Sequence, residues 1–133
     1  MIIEFTIPGA PQGKARARTT KFGSYTPEKT VLYENLIKIS YQQATEKYFD
    51  GPLRVIINAF YEPVKSTSKK RMSAMLEGSI RPTKKPDIDN IAKVVLDALN
   101  GIAYKDDTQV IELIVNKVYG QLASVNVTIE EVS

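Results

Sequence analysis

The sequence predicts an α+β domain in which a mixed β-sheet carries two main helices. Apolar runs with strand-like alternation lie near both ends and in the middle of the chain, two segments carry apolar residues at helical spacing, and turn residues separate them. At 133 residues the chain is expected to be one domain, residues 1–133, with a single core.

Met1 to Ile7 alternates loosely and runs into Pro8-Gly9-Ala10-Pro11, so it reads as a strand entering a loop. The loop continues through Gly13-Lys14-Ala15-Arg16-Ala17-Arg18. If this stretch is extended, Lys14, Arg16 and Arg18 project to one side and can track a phosphate backbone; the alternative is a solvated, mobile basic loop. Thr26-Pro27-Glu28 marks a helix start, combining a capping hydroxyl, a proline suited to the first turn and an acid that complements the dipole. The helix is expected to run to about Tyr48, with Tyr33, Leu36, Ile37, Tyr41, Ala44 and Tyr48 as its apolar stripe. These tyrosines read as core rather than as stacking platforms. Pro52 to Tyr61 alternates as a strand and Pro63 ends it.

Residues Val64 to Lys85 form a basic insertion of low apolar content. Within it, Ser68 to Glu77 can make a short helix carrying Lys69, Lys70 and Arg71, with Met72, Met75 and Leu76 to dock it, and Arg81 to Pro86 is extended. Helix resumes from about Asp89 to Leu99, with Ile91, Val94, Val95, Ala98 and Leu99 facing the core and Asn100-Gly101 as the stop. Asp89, Lys93 and Asp97 line up on its other side. Thr108 to Tyr119 and Leu122 to Val132 read as an antiparallel pair around Gly120.

Charge and absent residue types narrow the chemistry. The 18 basic against 15 acidic residues leave only +3, but 11 of the basic side chains fall in two patches. Lys14, Arg16, Arg18 and Lys21 lie in a window without acids, and residues 65–85 hold seven cations against Glu77 alone. Such patches are the footprint of a phosphate-backbone binder. No cysteine means no disulfide, thiolate metal site or cysteine nucleophile, and no histidine removes triads, imidazole bases and imidazole ligands. No apolar run approaches the roughly 20 residues that span a bilayer, so a soluble, cytoplasmic protein is expected.

The acidic residues stand where chemistry would need them. Asp87-Ile88-Asp89-Asn90-Ile91-Ala92-Lys93, followed by Lys105-Asp106-Asp107, offers carboxylates, an amide and an amine within reach of one another. Oxygen donors beside a fixed cation suit a hard divalent metal handling phosphate. Each piece also has a plainer account: Asp89 as a helix cap, Asp89-Lys93-Asp97 as a solvated ion-pair ladder and Lys105-Asp106-Asp107 as a turn. From spacing alone both accounts stand.

The run Lys85-Pro86-Asp87-Ile88-Asp89-Asn90-Ile91-Ala92-Lys93, with Asp97-Ala98-Leu99-Asn100-Gly101 and Tyr104-Lys105-Asp106-Asp107-Thr108-Gln109-Val110, closely resembles the signature of the RusA family of Holliday junction resolvases. Pro11-Gln12-Gly13-Lys14-Ala15-Arg16 and Tyr25-Thr26-Pro27 resemble that family's N-terminal basic segment. The resemblance implies a homodimeric endonuclease of bacteria and their prophages, dependent on Mg2+ with Mn2+ as a substitute. It would nick opposed strands of four-way junctions in DNA recombination and repair. It further implies Asp87, Asp89 and Asp107 as metal-binding carboxylates and Lys93 as the catalytic lysine, with Asn90 and Asp106 supporting them and Asp106 a further candidate ligand. Lys14, Arg16 and Arg18, and a second group of Lys69, Lys70, Arg71, Arg81, Lys84 and Lys85, are the expected DNA contacts. The insertion is longer than in compact members of the family. The competing function is a non-catalytic, phage-derived DNA-binding module whose carboxylates hold a structural cation.

Overall fold

A computed structural model describes residues 1–133. Its organising element is β4 (Leu53–Tyr61), in which Leu53, Val55, Ile57, Ala59 and Tyr61 are buried while Arg54, Ile56, Asn58 and Phe60 are half-buried on the opposite face. That strict alternation is the pattern of a strand covered by helices on one side. β1 (Ile2–Pro8), β5 (Val110–Tyr119) and β6 (Ser124–Glu131) complete a four-stranded sheet in the order β1-β6-β4-β5. β6 runs antiparallel to both β1 and β4, and β5 runs parallel to β4, so the sheet is mixed.

The last two strands do not pair with each other, contrary to the antiparallel hairpin expected around Gly120. β4 lies between them. A central strand needs hydrogen-bonding partners along both edges, and β5 and β6 supply one edge each. The parallel partner requires a long crossover, provided by the insertion and the helix that precede β5. The chain then crosses the end of β4, where the Gly120 N–H donates to the Tyr61 carbonyl at 2.9 Å. A Cβ on residue 120 would lie 2.9 Å from Cδ1 of Phe60, so glycine suits this crossing.

Helices α1 (Glu28–Ala44) and α3 (Ile88–Leu99) pack on one face of the sheet and against each other. Ile91, Val94, Val95, Ala98 and Leu99 are all buried, as their spacing predicts, beside Tyr33, Ile37 and Tyr41 of α1. The Tyr41 ring meets Phe5 edge-on at 5.3 Å. Helix α1 stops at Ala44 rather than near Tyr48, because local bonds draw the chain out of the helix. The Thr45 hydroxyl accepts from the Lys47 N–H at 3.1 Å, and the Tyr41 hydroxyl donates to the Lys47 carbonyl. Phe49 then enters the core fully buried and Tyr48 is left exposed.

The short helix of the insertion forms as α2 (Lys69–Glu77). The Ser68 hydroxyl accepts from the Arg71 N–H at 3.3 Å, Met75 is buried, and Gly78 ends the helix at φ +96°. The insertion is tied to β5, since Arg81 donates to the Lys117 carbonyl at 2.8 Å and Lys117 to that of Lys84 at 2.5 Å. Inside the N-terminal basic segment, which reads as loop in the sequence, the chain forms a separate hairpin of β2 (Arg18–Thr20) and β3 (Gly23–Tyr25). No helix is long and apolar enough to cross a membrane.

Ile57 lies fully buried at the centre of this packing. Ile57→Ala is expected to lower unfolding stability by about 2–5 kcal/mol, read from the midpoint of urea denaturation.

Candidate functional site

The start of α3 carries the first group of polar side chains. Asp87 occupies the N-cap position with extended backbone, and Asp89 sits in the first turn, where helix N–H dipoles favour negative charge. Asp87 makes no capping bond to the helix; its Oδ1 instead accepts from Asn90 Nδ2 at 2.8 Å. That bond, aided by Asp89 and the Lys85 charge, holds the Asp87 carboxyl below the usual carboxylate range. The plainer account of Asp89 as the helix cap does not hold, since the helix already begins at Ile88 and the cap position falls to Asp87. Asp87, Asp89 and Lys93 are exposed, and Asn90 is half-buried between them and the body of the protein.

The second group follows α3. Asp107 opens a short 3-10 turn, Asp107–Gln109, immediately before β5, and Asp106 precedes it. Gln109 fixes this loop with both ends of its amide. Its Oε1 accepts from the N–H groups of Lys105 at 3.0 Å and Asp106 at 3.3 Å, and its Nε2 donates to the carbonyls of Phe49 at 3.0 Å and Gly51 at 3.1 Å. Buried Tyr104 ties the loop to the helix by donating to the Leu96 carbonyl at 2.8 Å. Partial burial pushes the Asp107 carboxyl up, and the neighbouring Asp106 and Asp97 charges push it further in the same direction.

Between the groups runs the N-terminal basic segment, whose cations face different ways. Lys14 turns inward, with Nζ 2.9 Å from Glu34 and 3.3 Å from Asp97. Burial alone would lower its pKa, but the two carboxylates outweigh it and the net shift is upward. The Lys14 N–H also donates to the Asn90 carbonyl at 3.1 Å. Gly13 makes this contact sterically feasible, since a Cβ there would lie 2.9 Å from Cβ of Asn90 and 3.1 Å from that of Pro86. Arg16 and Arg18 instead line an open cavity of about 580 Å³ together with Lys29 and Lys85, and no acidic residue lines it. The structure thus brings Arg16, Arg18 and Lys85 together. It sets Lys69, Lys70 and Arg71 apart on α2, Arg81 against β5, and the Lys84 ammonium 5.7 Å from the Tyr61 ring.

No three acidic side chains converge closely enough to make a ready metal cage. Asp89 and Asp97 lie eight residues apart on α3, about 12 Å along its axis, and it is Asp97 whose charge acts on Asp107. Their donors are all oxygen, and this is the set that Mg2+ takes, commonly as one or two carboxylates completed by water and substrate phosphate.

Several residues of this site escape the sequence reading. Gln109 stands three residues after Asp106 in the spacing of a capping box, a signal that was available. Glu34, Lys29 and Gly13 have no such local signature, since their roles depend on which helices meet.

Gly13→Ala is expected to push the basic segment off α3 and free Asn90 from its contact with Lys14. The measurable result is loss of the Asn90-dependent depression of the Asp87 pKa, followed by carboxyl NMR titration. Asp107→Asn is expected to raise the melting temperature in EDTA at neutral pH. With its folded pKa above the unfolded value, ionised Asp107 costs stability as pH rises between the two, so the gain should vanish at pH values below both.

A family model described as endodeoxyribonuclease RusA matches residues 8–130. An uncharacterised protein of Bacillus subtilis (strain 168), YqaN, is 38% identical over 138 residues, covering 98% of this chain and 97% of that protein. The matched segment takes in the basic loop, the start of α3, the loop of Asp106 and Asp107, and three of the four strands of the sheet, β4, β5 and β6. On that match the chain belongs to the RusA endodeoxyribonuclease family of Holliday junction-resolving endonucleases.

Proposed function

We propose that this protein is a structure-selective endonuclease that acts in the cytoplasm as a homodimer and resolves four-way DNA junctions by Mg2+-dependent paired hydrolysis, in recombination and repair. The observation that carries the reading is the Asp87-Asn90 pair opening α3 against a basic segment, in a member of the RusA family without histidine or cysteine. A two-fold dimer would supply the two symmetric sites that paired nicking needs.

Asp87, Asp89 and Asp107 are the residues assigned to hold the metal, with Asp106 beside them. Bound Mg2+, or Mn2+ in its place, would lower the pKa of a water and draw charge from a non-bridging phosphate oxygen. Asn90 orients the Asp87 carboxylate and further favours its ionised form. Lys93, one turn beyond Asp89 and exposed, would stabilise charge developing on the phosphate or leaving oxygen. Arg16, Arg18 and Lys85 would take backbone phosphates. Lys14, already paired with Glu34 and Asp97, serves better to hold the basic segment in register with α3. Lys69, Lys70, Arg71, Arg81 and Lys84 remain the proposed outer contacts for a junction arm.

The lack of a ready three-carboxylate cage also fits the competing reading, a DNA-binding module without catalysis. Cleavage separates the two. A mobile four-way junction is expected to receive paired nicks with Mg2+ and none with EDTA, while linear duplex of the same sequence stays intact. Asp89→Asn should abolish nicking and keep junction binding, and Lys93→Ala should lower turnover with binding nearly intact. Tight junction binding without nicking in Mg2+ or Mn2+ would instead establish the binding module.

A further inference from the structure

The β2–β3 hairpin has no place in the core. Every residue of both strands is exposed, yet its turn is defined by specific bonds. The Thr20 hydroxyl donates to the Gly23 carbonyl at 3.2 Å and accepts from the Phe22 N–H at 3.2 Å. Gly23 takes the positive φ of +122°, a conformation that a side chain rarely adopts, leaving Lys21 and Phe22 at the tip. Phe22 is 90% exposed, beyond any other large apolar side chain of the protein, and the Lys21 ammonium lies 5.2 Å from its ring. An aromatic ring held in water on a built turn contributes nothing to folding, and its cationic setting is the wrong one for an apolar protein partner.

The foot of the same hairpin supplies the complementary observation. Arg18, the first residue of β2, lines the cavity of about 580 Å³ with Arg16, Lys29 and Lys85. The tip lies three residues along the chain from Arg18, about 10 Å at 3.3 Å per residue, the length of about three base steps along one strand. A ring at that distance from a phosphate cradle could reach bases whose faces are open, and regular duplex offers none in mid-stack.

We propose that the hairpin reads the branch point of the DNA: Phe22 stacks on a base face exposed where strands exchange, while Arg16, Arg18, Lys29 and Lys85 grip the flanking phosphates. This rests on the endonuclease reading and adds to it a selectivity residue, Phe22, and a phosphate contact on α1, Lys29. The stacking step discriminates branched from linear DNA, and the cavity contributes affinity for both.

The test uses the full chain, a four-way junction with a fluorescent adenine analogue at the branch point, and linear duplex as competitor. In EDTA, wild type is expected to change the analogue's fluorescence on binding. Phe22→Ala should leave thermal unfolding unchanged, abolish that signal and lower the preference for junction over duplex about tenfold, with Phe22→Trp restoring both. Lys29→Ala should weaken junction and duplex binding alike and reduce the salt dependence of binding by about one phosphate contact. If wild type cleaves the junction and Phe22→Ala matches it in signal and preference, the hairpin proposal is overturned and the endonuclease reading stands. If wild type neither binds nor cleaves the junction in preference to duplex, the endonuclease reading fails and takes this one with it.

Discussion

The packing of Gly13 and Lys14 against the start of α3 is the contact on which the polar face of this protein depends. Through it the N-terminal segment, α1 and α3 are tied at one place: the Lys14 N–H bonds to Asn90, and its ammonium sits between Glu34 of α1 and Asp97 of α3. A half-buried lysine between two carboxylates is held on several sides, and removing it would leave two acids facing each other in a partly desolvated setting. The same contact aligns Asn90, which in turn fixes Asp87. The basic cavity and the carboxylates are therefore neighbours because one backbone approach, permitted by a glycine, makes them so.

The acidic loop after α3 illustrates the opposite economy. Asp107 lies beside Asp106 and Asp97, and its raised pKa records both desolvation and repulsion. Nothing in the packing requires an acid there. The protein holds it in place with the satisfied amide of Gln109 and the hydroxyl of Tyr104, two anchors that do not neutralise it. Unrelieved negative charge held by rigid neutral groups is what a cation-dependent site would need before its cation and substrate arrive.

Much of this arrangement is legible in the residue pattern. The alternation of Leu53 to Tyr61 and the spacing of Ile91 to Leu99 decide which faces are buried, because burial there is governed by local periodicity. What periodicity cannot convey is which strand lies beside which. The short segment around Gly120 looks like a hairpin turn, yet it crosses β4, and only the need of β4 for partners on both edges explains that choice. For the same reason the sequence shows which segments carry acids and cations without revealing that Lys14 turns inward while Arg16 and Arg18 turn out. Local hydrogen bonds also override pattern at Thr45 and Tyr41, where α1 ends before its apolar stripe does.

The distribution of compensated and uncompensated charge gives the face its polarity. Lys14 is neutralised within the protein, whereas the cavity of Arg16, Arg18, Lys29 and Lys85 has no acid in its lining. The carboxylates of Asp87, Asp89 and Asp107, in turn, have no ion-pair partner within 4.0 Å among the salt bridges of the chain. Cations and anions that could pair with each other are instead kept apart, by the rigid helix start on one side and the hairpin-bearing segment on the other. A polyanion laid across this face would meet the cations first and bring its phosphates toward carboxylates that repel it. A divalent cation between them would relieve that repulsion, so on the proposed reading metal and DNA would reinforce each other's binding at this surface.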